Sequence, residues 1–387
     1  MTDASEPILN RRREEFPTLE KGIYLLSHSL GPVPNAAREA MLTYLERWQS
    51  HAGEDAWAAE WWALSNEVGD RVARLIGAPP GTVYPQPNAS IALAAVASCF
   101  DFASSKRRKV VTTALDFPSM DHLWHAQRRV GADVHVVPSD NDIVTPLERI
   151  LDAIDAETCL VALSHVSYRS SYKVDAAAVV RRAHEVGALV LLDAYQSVGI
   201  TEIDVSAWSV DFLLGGSIKW LCGGPACGYL YVRPDLIQTL EPRLTGWIAH
   251  ARVFDFEHGP IRYADTVRRF AQGTPNIPGL YSFLPGLKII EEIGASAIAA
   301  ESRRRTQRIV RFAREHGWSL HSPSDARSRG GSVMIETERP NEIVAQLAER
   351  NVFVDCRPGV GLRISPHFFN TDDEIEEALN TIGDLLV

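Results

Sequence analysis

The chain has 387 residues, of which 49 are acidic and 39 basic, so its formal charge at neutral pH is −10. This length predicts two or three domains, and a hydrophobic content of 45% is enough for extended buried cores. The acidic balance argues against a nucleic-acid partner, which needs clustered Lys and Arg. Apolar runs fall well short of the ~18 residues that span a bilayer, and residues 1–20 carry charges instead of a signal-peptide core. We therefore expect a cytoplasmic protein without a membrane partner.

The cysteines are too few, and odd in number, for a disulfide framework, which favours free thiols in a reducing compartment. Cys222 and Cys227 have no second pair of Cys or His residues at zinc spacing. The pair His122 and His125 also has no partner ligands nearby in the sequence, so we expect no metal site. The five cysteines are Cys99, Cys159, Cys222, Cys227 and Cys356.

Through the middle of the chain, short apolar runs alternate with helical patterns, which is typical of a mostly parallel sheet with crossover helices. Most runs are almost continuously apolar, as expected for strands buried on both faces. In chain order, the predicted helices are 91–100, 119–130, 145–154 and 175–186, and the predicted strands are 109–113, 134–138, 159–165, 188–193, 210–215 and 228–232. These elements predict one large α/β domain.

After a predicted loop at 275–286, the pattern indicates a long helix over 288–316 and then a smaller α+β domain. Its predicted elements are a strand at 332–336, a helix at 341–349, a strand at 362–365 and a last helix from Thr371, where Thr371 and Glu374 can form a capping box. We predict an N-terminal segment (1–50) that packs with the small domain, a large domain (51–285) and the small C-terminal domain (286–387).

The most informative residues for function are Asp193, which ends an apolar run, and Lys219, which follows the next predicted strand. Residues at the carboxyl ends of parallel strands face the crevice in which α/β proteins bind ligands, so both are candidates for one site. A lysine among glycine and apolar residues loses its charge readily and can act as a nucleophile or base. The alternative is an aspartate that caps a loop and a lysine that reaches solvent.

Two further features point to a flat, phosphorylated ligand. The sequence Asn88-Ala89-Ser90 opens a helix of small residues, where free N–H groups and the helix dipole favour a phosphate. An ordinary helix cap at Asn88 is the alternative. Phe117 follows another predicted strand and can stack on an aromatic ring, although an isolated Phe is more often part of a core.

A lysine amine, a carboxylate, a phosphate cradle and an aromatic plate are what pyridoxal 5'-phosphate (PLP) requires. At these residues the chain resembles the fold type I PLP-dependent enzymes of aminotransferase class V, and within them it is most similar to the kynureninases. The resemblance covers most of the chain and implies a large domain with a mostly parallel seven-stranded sheet plus a smaller α+β C-terminal domain. Its motifs are Ser29-Leu30-Gly31, 69–77, Phe117-Pro118-Ser119, 164–170, Asp193 with Gln196, Ser217 with Lys219, 223–225, Gly246-Trp247, Gly273-Thr274-Pro275, and 355–358 leading to Arg363.

The resemblance implies a role for each matching residue. Lys219 would bind PLP covalently and then move the Cα proton of an amino-acid substrate, and Asp193 would pair with the pyridine nitrogen. Phe117 would stack on the ring and Gln196 would donate to its phenolic oxygen. The phosphate would be held by Asn88, Ala89, Ser90 and Ser217, with Trp247 and Thr274 reaching it from the neighbouring subunit of a homodimer. Arg363 would take the substrate carboxylate, and the other implied substrate contacts are Ser29, Tyr168 and Arg169.

The resemblance implies hydrolytic Cβ–Cγ cleavage of kynurenine to anthranilate and alanine, but several residues depart from the kynureninase pattern. Ile218 replaces the tyrosine that usually precedes the lysine, Met120 replaces an aspartate, and His28 stands where asparagine precedes the Ser-Leu-Gly motif. An aminotransferase is therefore an alternative, and a non-catalytic scaffold is another. Cysteine desulfuration needs a mobile attacking thiol, for which Cys356 is the candidate, with a small buried hydrophobe as its ordinary interpretation.

Overall fold

The structure is a computed structural model that describes residues 10–51, 53–225 and 227–386. Its strands are β1 (Ile23–Tyr24), β2 (Val83–Gln86), β3 (Lys109–Thr113), β4 (Asp133–Val137), β5 (Thr158–Ser164), β6 (Leu189–Asp193), β7 (Phe212–Gly216), β8 (Gly228–Val232), β9 (Val333–Ile335), β10 (Val352–Phe353), β11 (Asp355–Arg357) and β12 (Gly361–Ile364).

Helices cover the central sheet and build most of the C-terminal region. They are α1 (Asn35–Ser50), α2 (Glu54–Ala56), α3 (Trp62–Leu75), α4 (Ala89–Ala97), α5 (Pro118–Gln127), α6 (Leu147–Ala153), α7 (Ala176–Glu185), α8 (Val205–Trp208), α9 (Pro234–Ile237), α10 (Ile277–Ile293), α11 (Ala295–Glu315), α12 (Pro340–Glu349) and α13 (Asp372–Leu386). A π-helical stretch, Trp57–Trp61, joins α2 to α3.

The central sheet has seven strands in the order β2-β8-β7-β6-β5-β3-β4. Strand β8 runs antiparallel to β2 and β7, and the remaining pairs are parallel. Alternate side chains of each strand enter cores on opposite faces: in β6, Val190 and Leu192 pack on one side and Leu191 on the other. The mostly parallel seven-stranded sheet predicted from the sequence is confirmed.

The parallel direction of β3, β5, β6 and β7 brings their carboxyl ends to one edge of the sheet. Asp193 is the last residue of β6, and the segments that follow β3, β5 and β7 carry Phe117, Tyr168 and Lys219, so four distant parts of the sequence meet there. This is the edge at which the sequence placed the candidate site.

The predicted loop at 275–286 and the single helix at 288–316 are wrong. Helix α10 already begins at Ile277, capped by the Asn276 side chain, and it accommodates Pro285 in its interior. Pro and Gly suggested a loop, but Gly286 serves close packing: a Cβ at this position would collide with the Leu221 carbonyl. The helices α10 and α11 are separate because Gly294, with a φ of +93°, ends the first of them.

The C-terminal region consists of an antiparallel sheet in the order β11-β12-β9, packed on α11, α12 and α13. The predicted capping box is present, since the amides of Thr371 and Glu374 bond to each other's side chains at 3.0 and 3.2 Å. From the N-terminal segment, β1 pairs with β10, whereas α1 packs on α10. The proposed boundary at 285/286 lies within α10, and the domain limits stay a prediction.

In the part of the chain that the structure describes, no helix combines the length and the apolar character required to cross a bilayer. Among the same residues, no three His, Cys, Asp or Glu side chains converge in a way that could hold a metal ion. His122 and His125 lie beside Asp121 on the exposed side of α5.

Candidate active site

A cavity of about 290 Å³ lies at the carboxyl edge of the central sheet. Nine of the site residues predicted from the sequence line it. These are Ser29, Asn88, Ala89, Ser90, Phe117, Tyr168, Asp193, Gln196 and Lys219.

Asp193 and Lys219 face the same cavity from the ends of neighbouring strands, β6 and β7. The Asp193 carboxylate is buried and accepts a hydrogen bond of 2.9 Å from the Tyr195 amide. Burial raises the pKa of Asp193, and the amide and the Lys219 charge oppose that rise. Burial also lowers the pKa of Lys219, against the attraction of Asp193. The site thus holds an amine that gives up its proton more readily than an exposed lysine.

The backbone around Lys219 is in close contact with Gly31, and this contact leaves no space for a side chain at Gly31. The Gly31 amide donates to the Ile218 carbonyl at 2.7 Å, and a Cβ on Gly31 would collide with the Lys219 carbonyl. The Ser-Leu-Gly motif near the N-terminus therefore packs directly on the backbone that carries the lysine.

The first turn of α4 forms one end of the cavity. The Asn88 side chain caps this helix by accepting from the Ile91 amide at 3.0 Å, so its ordinary structural role is present. The amides of Ala89 and Ser90 lie in the first turn, where no preceding helical carbonyl can accept from them. Gly228 lets β8 approach, since a Cβ there would lie 2.6 Å from the Asn88 carbonyl carbon. Backbone amides at this end can cradle an anion.

Aromatic rings enclose the lysine. The Nζ atom of Lys219 lies 4.7 Å from the ring centroid of Tyr195 and 5.7 Å from that of Phe117. Phe117 in turn contacts Tyr168 edge to face, with 5.1 Å between their centroids. The remaining walls are largely apolar, with Leu93, Met120, Val166, Leu214 and Ile218 among the lining residues.

Gln196 connects the cavity to the N-terminal segment. Its amide nitrogen donates to the His28 carbonyl at 3.0 Å, and its oxygen accepts from the Trp220 indole at 3.1 Å. One amide hydrogen is left to donate into the site.

Several predicted site residues do not line this cavity in the single chain. Ser217 is buried, and its hydroxyl donates to the Gly224 carbonyl at 2.6 Å. Trp247 and Thr274 belong to two other depressions, and both are partly exposed. The Arg169 Nη2 atom lies 3.9 Å from Asp142 Oδ2.

Arg363, the predicted carboxylate-binding residue, is not among the residues that line this cavity, and it is buried and already paired. Its Nε and Nη2 atoms donate to the Asp355 carboxylate at 2.8 and 2.6 Å, and Nη1 donates to the Tyr168 carbonyl at 3.1 Å. It approaches Lys219 closely enough for its charge to lower the pKa of that amine. Asp355 is a partner that the sequence did not reveal.

Tyr195 is the lining residue that the sequence interpretation missed most clearly. It lies two positions after Asp193, in the same strand-end segment, and its phenol fits beside Gly216, where a Cβ would collide with it. An aromatic residue two positions after the strand-end aspartate was the available signal. Burial, together with the Asp193 charge, raises the pKa of Tyr195 to about 12, so the phenol keeps its proton at neutral pH.

The residues of the cavity fit PLP by the chemistry of their donors. The amine of Lys219 suits an aldehyde, the Asp193 carboxylate suits a protonated pyridine nitrogen, and the α4 amides suit a phosphate. Phe117 and Tyr195 provide aromatic faces beside the amine. Nothing in the lining opposes this assignment, because Asp193 is its one carboxylate among the described residues.

Comparison with known proteins agrees with this geometry. Residues 23–377 match the family Aminotransferase class-V. The chain is 33% identical to the uncharacterized aminotransferase YcbU of Bacillus subtilis (strain 168), covering 98% of both chains. It is 30% identical to the kynureninase of Geobacillus thermodenitrificans (strain NG80-2), covering 98% of this chain and 91% of that protein.

Among solved structures, the apo cysteine desulfurase of Thermococcus onnurineus NA1 superposes with a TM-score of 0.85 at 24% identity, covering 99% of both chains. This likeness concerns the fold. Because the family match spans most of the sequence, the chain belongs to the aminotransferase class-V family and is a PLP-dependent enzyme of fold type I.

Proposed function

We propose that the enzyme acts on an α-amino acid with an aromatic side chain and hydrolyses its Cβ–Cγ bond, as a kynureninase does. The observation that carries this proposal is the lining of the cavity, where Phe117 and Tyr195 lie beside the Lys219 amine, Tyr168 packs on Phe117, and the other walls are largely apolar. Such walls suit an aromatic ring. Relatives named kynureninase, 27–30% identical over at least 94% of the chain, support the same proposal.

Lys219 is proposed to bind the cofactor covalently and to carry the proton of the substrate Cα. Bound PLP supplies a sink for negative charge at that carbon. Burial of Lys219 favours its neutral amine, which is the form that can accept a proton. With PLP bound, Asp193 would keep a proton on the pyridine nitrogen, and the backbone amides of Ala89 and Ser90 in α4 would hold the phosphate. Arg363 binds the α-carboxylate, close to Tyr168.

Transamination is the second candidate, because Ile218 lies in the cavity wall where kynureninases place a tyrosine. An aliphatic side chain cannot pass protons to the substrate side chain. The 33% identity to a protein named an aminotransferase favours this reading too.

Cysteine desulfuration is disfavoured by the place of Cys356. In β11 this residue pairs with Leu362 and packs against the small-domain core, whereas Asp355 pairs with Arg363. The Cys356 Sγ atom lies 3.1 Å from the Asn341 side-chain oxygen, and burial raises the pKa of the thiol. A thiol in this position is poorly suited to attack a substrate beside Lys219.

We also propose that the enzyme is a cytoplasmic homodimer whose sites are shared. Phe254, Phe256 and Trp247 expose 65%, 67% and 39% of their surface, which is large for aromatic residues on adjacent segments. The family resemblance implies that a second copy of the chain covers these residues. In such a dimer, Trp247 and Thr274 of one subunit would reach the phosphate site of the other. All five cysteines are free thiols, which is compatible with a reducing compartment.

The test is to incubate the holoenzyme with L-kynurenine, with and without a 2-oxo acid as amino acceptor, and to follow anthranilate by fluorescence and the keto acid formed from kynurenine by chromatography. Anthranilate with equimolar alanine supports the hydrolase, keto acid without anthranilate supports the aminotransferase, and neither product at high enzyme concentration refutes both for this substrate. Borohydride reduction followed by peptide mapping should label Lys219. Lys219→Ala should lose the label and the visible absorbance, and Lys106→Ala, which removes an exposed lysine, should keep both.

A further inference from the structure

Asp355 and Arg363 form a buried ion pair that follows from the register of the small sheet. Strands β11 and β12 are antiparallel with Asp355 directly opposite Arg363, so the two side chains lie on the same face. The carboxylate accepts from Nε and Nη2 of the guanidinium, at 2.8 and 2.6 Å. Arg363 exposes 2% of its surface. This geometry fixes the plane of the guanidinium.

His28 holds the same carboxylate from the opposite end of the chain. Its Nε2 atom lies 2.8 Å from Asp355 Oδ1, and its Nδ1 atom lies 2.6 Å from the Ser365 hydroxyl. Burial lowers the pKa of His28 to about 4, so the imidazole is neutral at physiological pH. A neutral imidazole has one N–H, and the ionised Asp355 carboxylate can only accept, so Nε2 carries the proton and Nδ1 is an acceptor. The one hydrogen of the Ser365 hydroxyl is shared between Nδ1 and the Leu25 carbonyl, which lies 2.9 Å from Oγ. The tautomer is therefore set by its neighbours.

The donors of Arg363 can be counted. A guanidinium has five N–H bonds, and Arg363 uses one on Nε, one on Nη2 and one on Nη1. One N–H on Nη1 and one on Nη2 have no acceptor among the described residues. Both of these N–H bonds can donate to the oxygens of a carboxylate.

The charges of the cluster leave room for one more anion. Arg363 and Arg357 each carry a positive charge, and Arg357 Nη1 lies 3.1 Å from Asp355 Oδ2. Asp355 contributes one negative charge and neutral His28 none. The sum is one positive charge, which a single carboxylate would neutralise.

We propose that Asp355 and His28 are positioning residues that direct the free Nη1 and Nη2 donors of Arg363 to the α-carboxylate of the substrate. The proposal rests on an amino-acid substrate, as in the proposed function, but not on the fate of its Cβ–Cγ bond. Without Asp355, the guanidinium keeps its charge and loses its fixed plane, so affinity for the carboxylate falls. His28 acts only through Asp355.

The matched probes are L-kynurenine and kynuramine, its amine without the carboxylate, titrated into holoenzyme and followed by the cofactor absorbance. Wild type should bind L-kynurenine at least about tenfold more tightly than kynuramine, and Asp355→Asn should weaken only L-kynurenine, by about tenfold or more. His28→Leu should do the same to a smaller degree, and His28→Gln, whose side-chain N–H can replace Nε2–H, should restore affinity.

Asp372→Asn is the control, because Asp372 also receives a bidentate arginine, Arg304, at 2.7 and 2.8 Å, away from the cavity. It should leave both affinities unchanged. In the apoenzyme, a slowly exchanging Nε2–H proton of His28 should be visible by NMR and should be lost in Asp355→Asn.

Equal affinity of wild type for the two probes, including no response to either, overturns the proposal. So does tighter binding of L-kynurenine by Asp355→Asn, which would make Asp355 only a competitor of the carboxylate, or equal losses for both probes, which would make it only a structural residue. If L-kynurenine is bound selectively but not cleaved, the proposed hydrolysis fails and the carboxylate site stands.

Discussion

Buried histidines should make the enzyme lose stability in mild acid, and His165 offers the simplest test. Its ring packs edge to face on Trp208, with 5.5 Å between ring centroids, and its buried Nδ1 atom has no hydrogen-bond partner in the described part of the chain. Burial lowers the pKa of His165 from 6.5 to about 3. Because the folded-state pKa is below the unfolded one, unfolding takes up a proton, and the free energy of unfolding falls once the pH drops below about 6.5.

The size of the effect follows from this shift. Each pH unit between the two pKa values costs about 1.4 kcal/mol for one histidine, so His165 alone should cost about 2 kcal/mol between pH ~8 and ~5. His28 and His367, with pKa values lowered by burial to about 4, add losses of similar size over the same interval.

The assay is urea unfolding of the holoenzyme, followed by circular dichroism across this pH range, for wild type and His165→Leu. The variant loses no hydrogen bond, and its stability should fall by about 2 kcal/mol less than that of wild type between pH ~8 and ~5. His122→Leu, at an exposed histidine, is the control and should behave as wild type. Identical pH dependence in wild type and His165→Leu would refute the reasoning.

The remaining predictions concern packing, the thiol and assembly. Gly286→Ala should lower the free energy of unfolding by about 1–3 kcal/mol, because its methyl group meets the Leu221 carbonyl; denaturant titration measures this, and wild-type stability would contradict it. Cys356→Ser should retain kcat and KM with L-kynurenine, since the thiol faces the small-domain core; loss of turnover would contradict this placement. Phe256→Arg should convert the dimer to monomer in sedimentation experiments and lower cofactor retention if Trp247, stacked on it at 6.1 Å, completes the neighbouring site; a monomeric wild type would contradict this prediction.

Much of the fold could be predicted because its signals are local. Six strands of the central sheet are largely apolar runs, and their observed limits lie within two residues of the predicted ones, whereas β2, which contains Pro85 and Gln86, was not predicted. The error at 275–286 has a physical cause: Pro285 and Gly286 are helix breakers in isolation, but packing on 221–222 selects the helix. Tertiary contact overrode local propensity there.

In the candidate site, too, some residues could be predicted from local sequence signals and others depend on tertiary contacts. Asp193 and Lys219 were found because strand ends of a parallel sheet converge. The pairing of Arg363 could not be foreseen, because it depends on the turn between β11 and β12 and on His28, which lies 327 residues from Asp355 in sequence. Those relations are set by tertiary register, which residue spacing does not encode.

Strand β1 and the Ser-Leu-Gly motif after it connect the small domain to the backbone that carries Lys219. Within nine residues, this stretch pairs with β10, clamps Asp355 through an imidazole, receives Gln196 on a carbonyl and supports the lysine backbone through Gly31. A movement of the small domain relative to the central sheet would therefore displace both the backbone at Lys219 and the Asp355–Arg363 pair. The separation of Lys219 and Arg363 therefore depends on one short span of backbone, and inserting a single residue into that span is expected to change it.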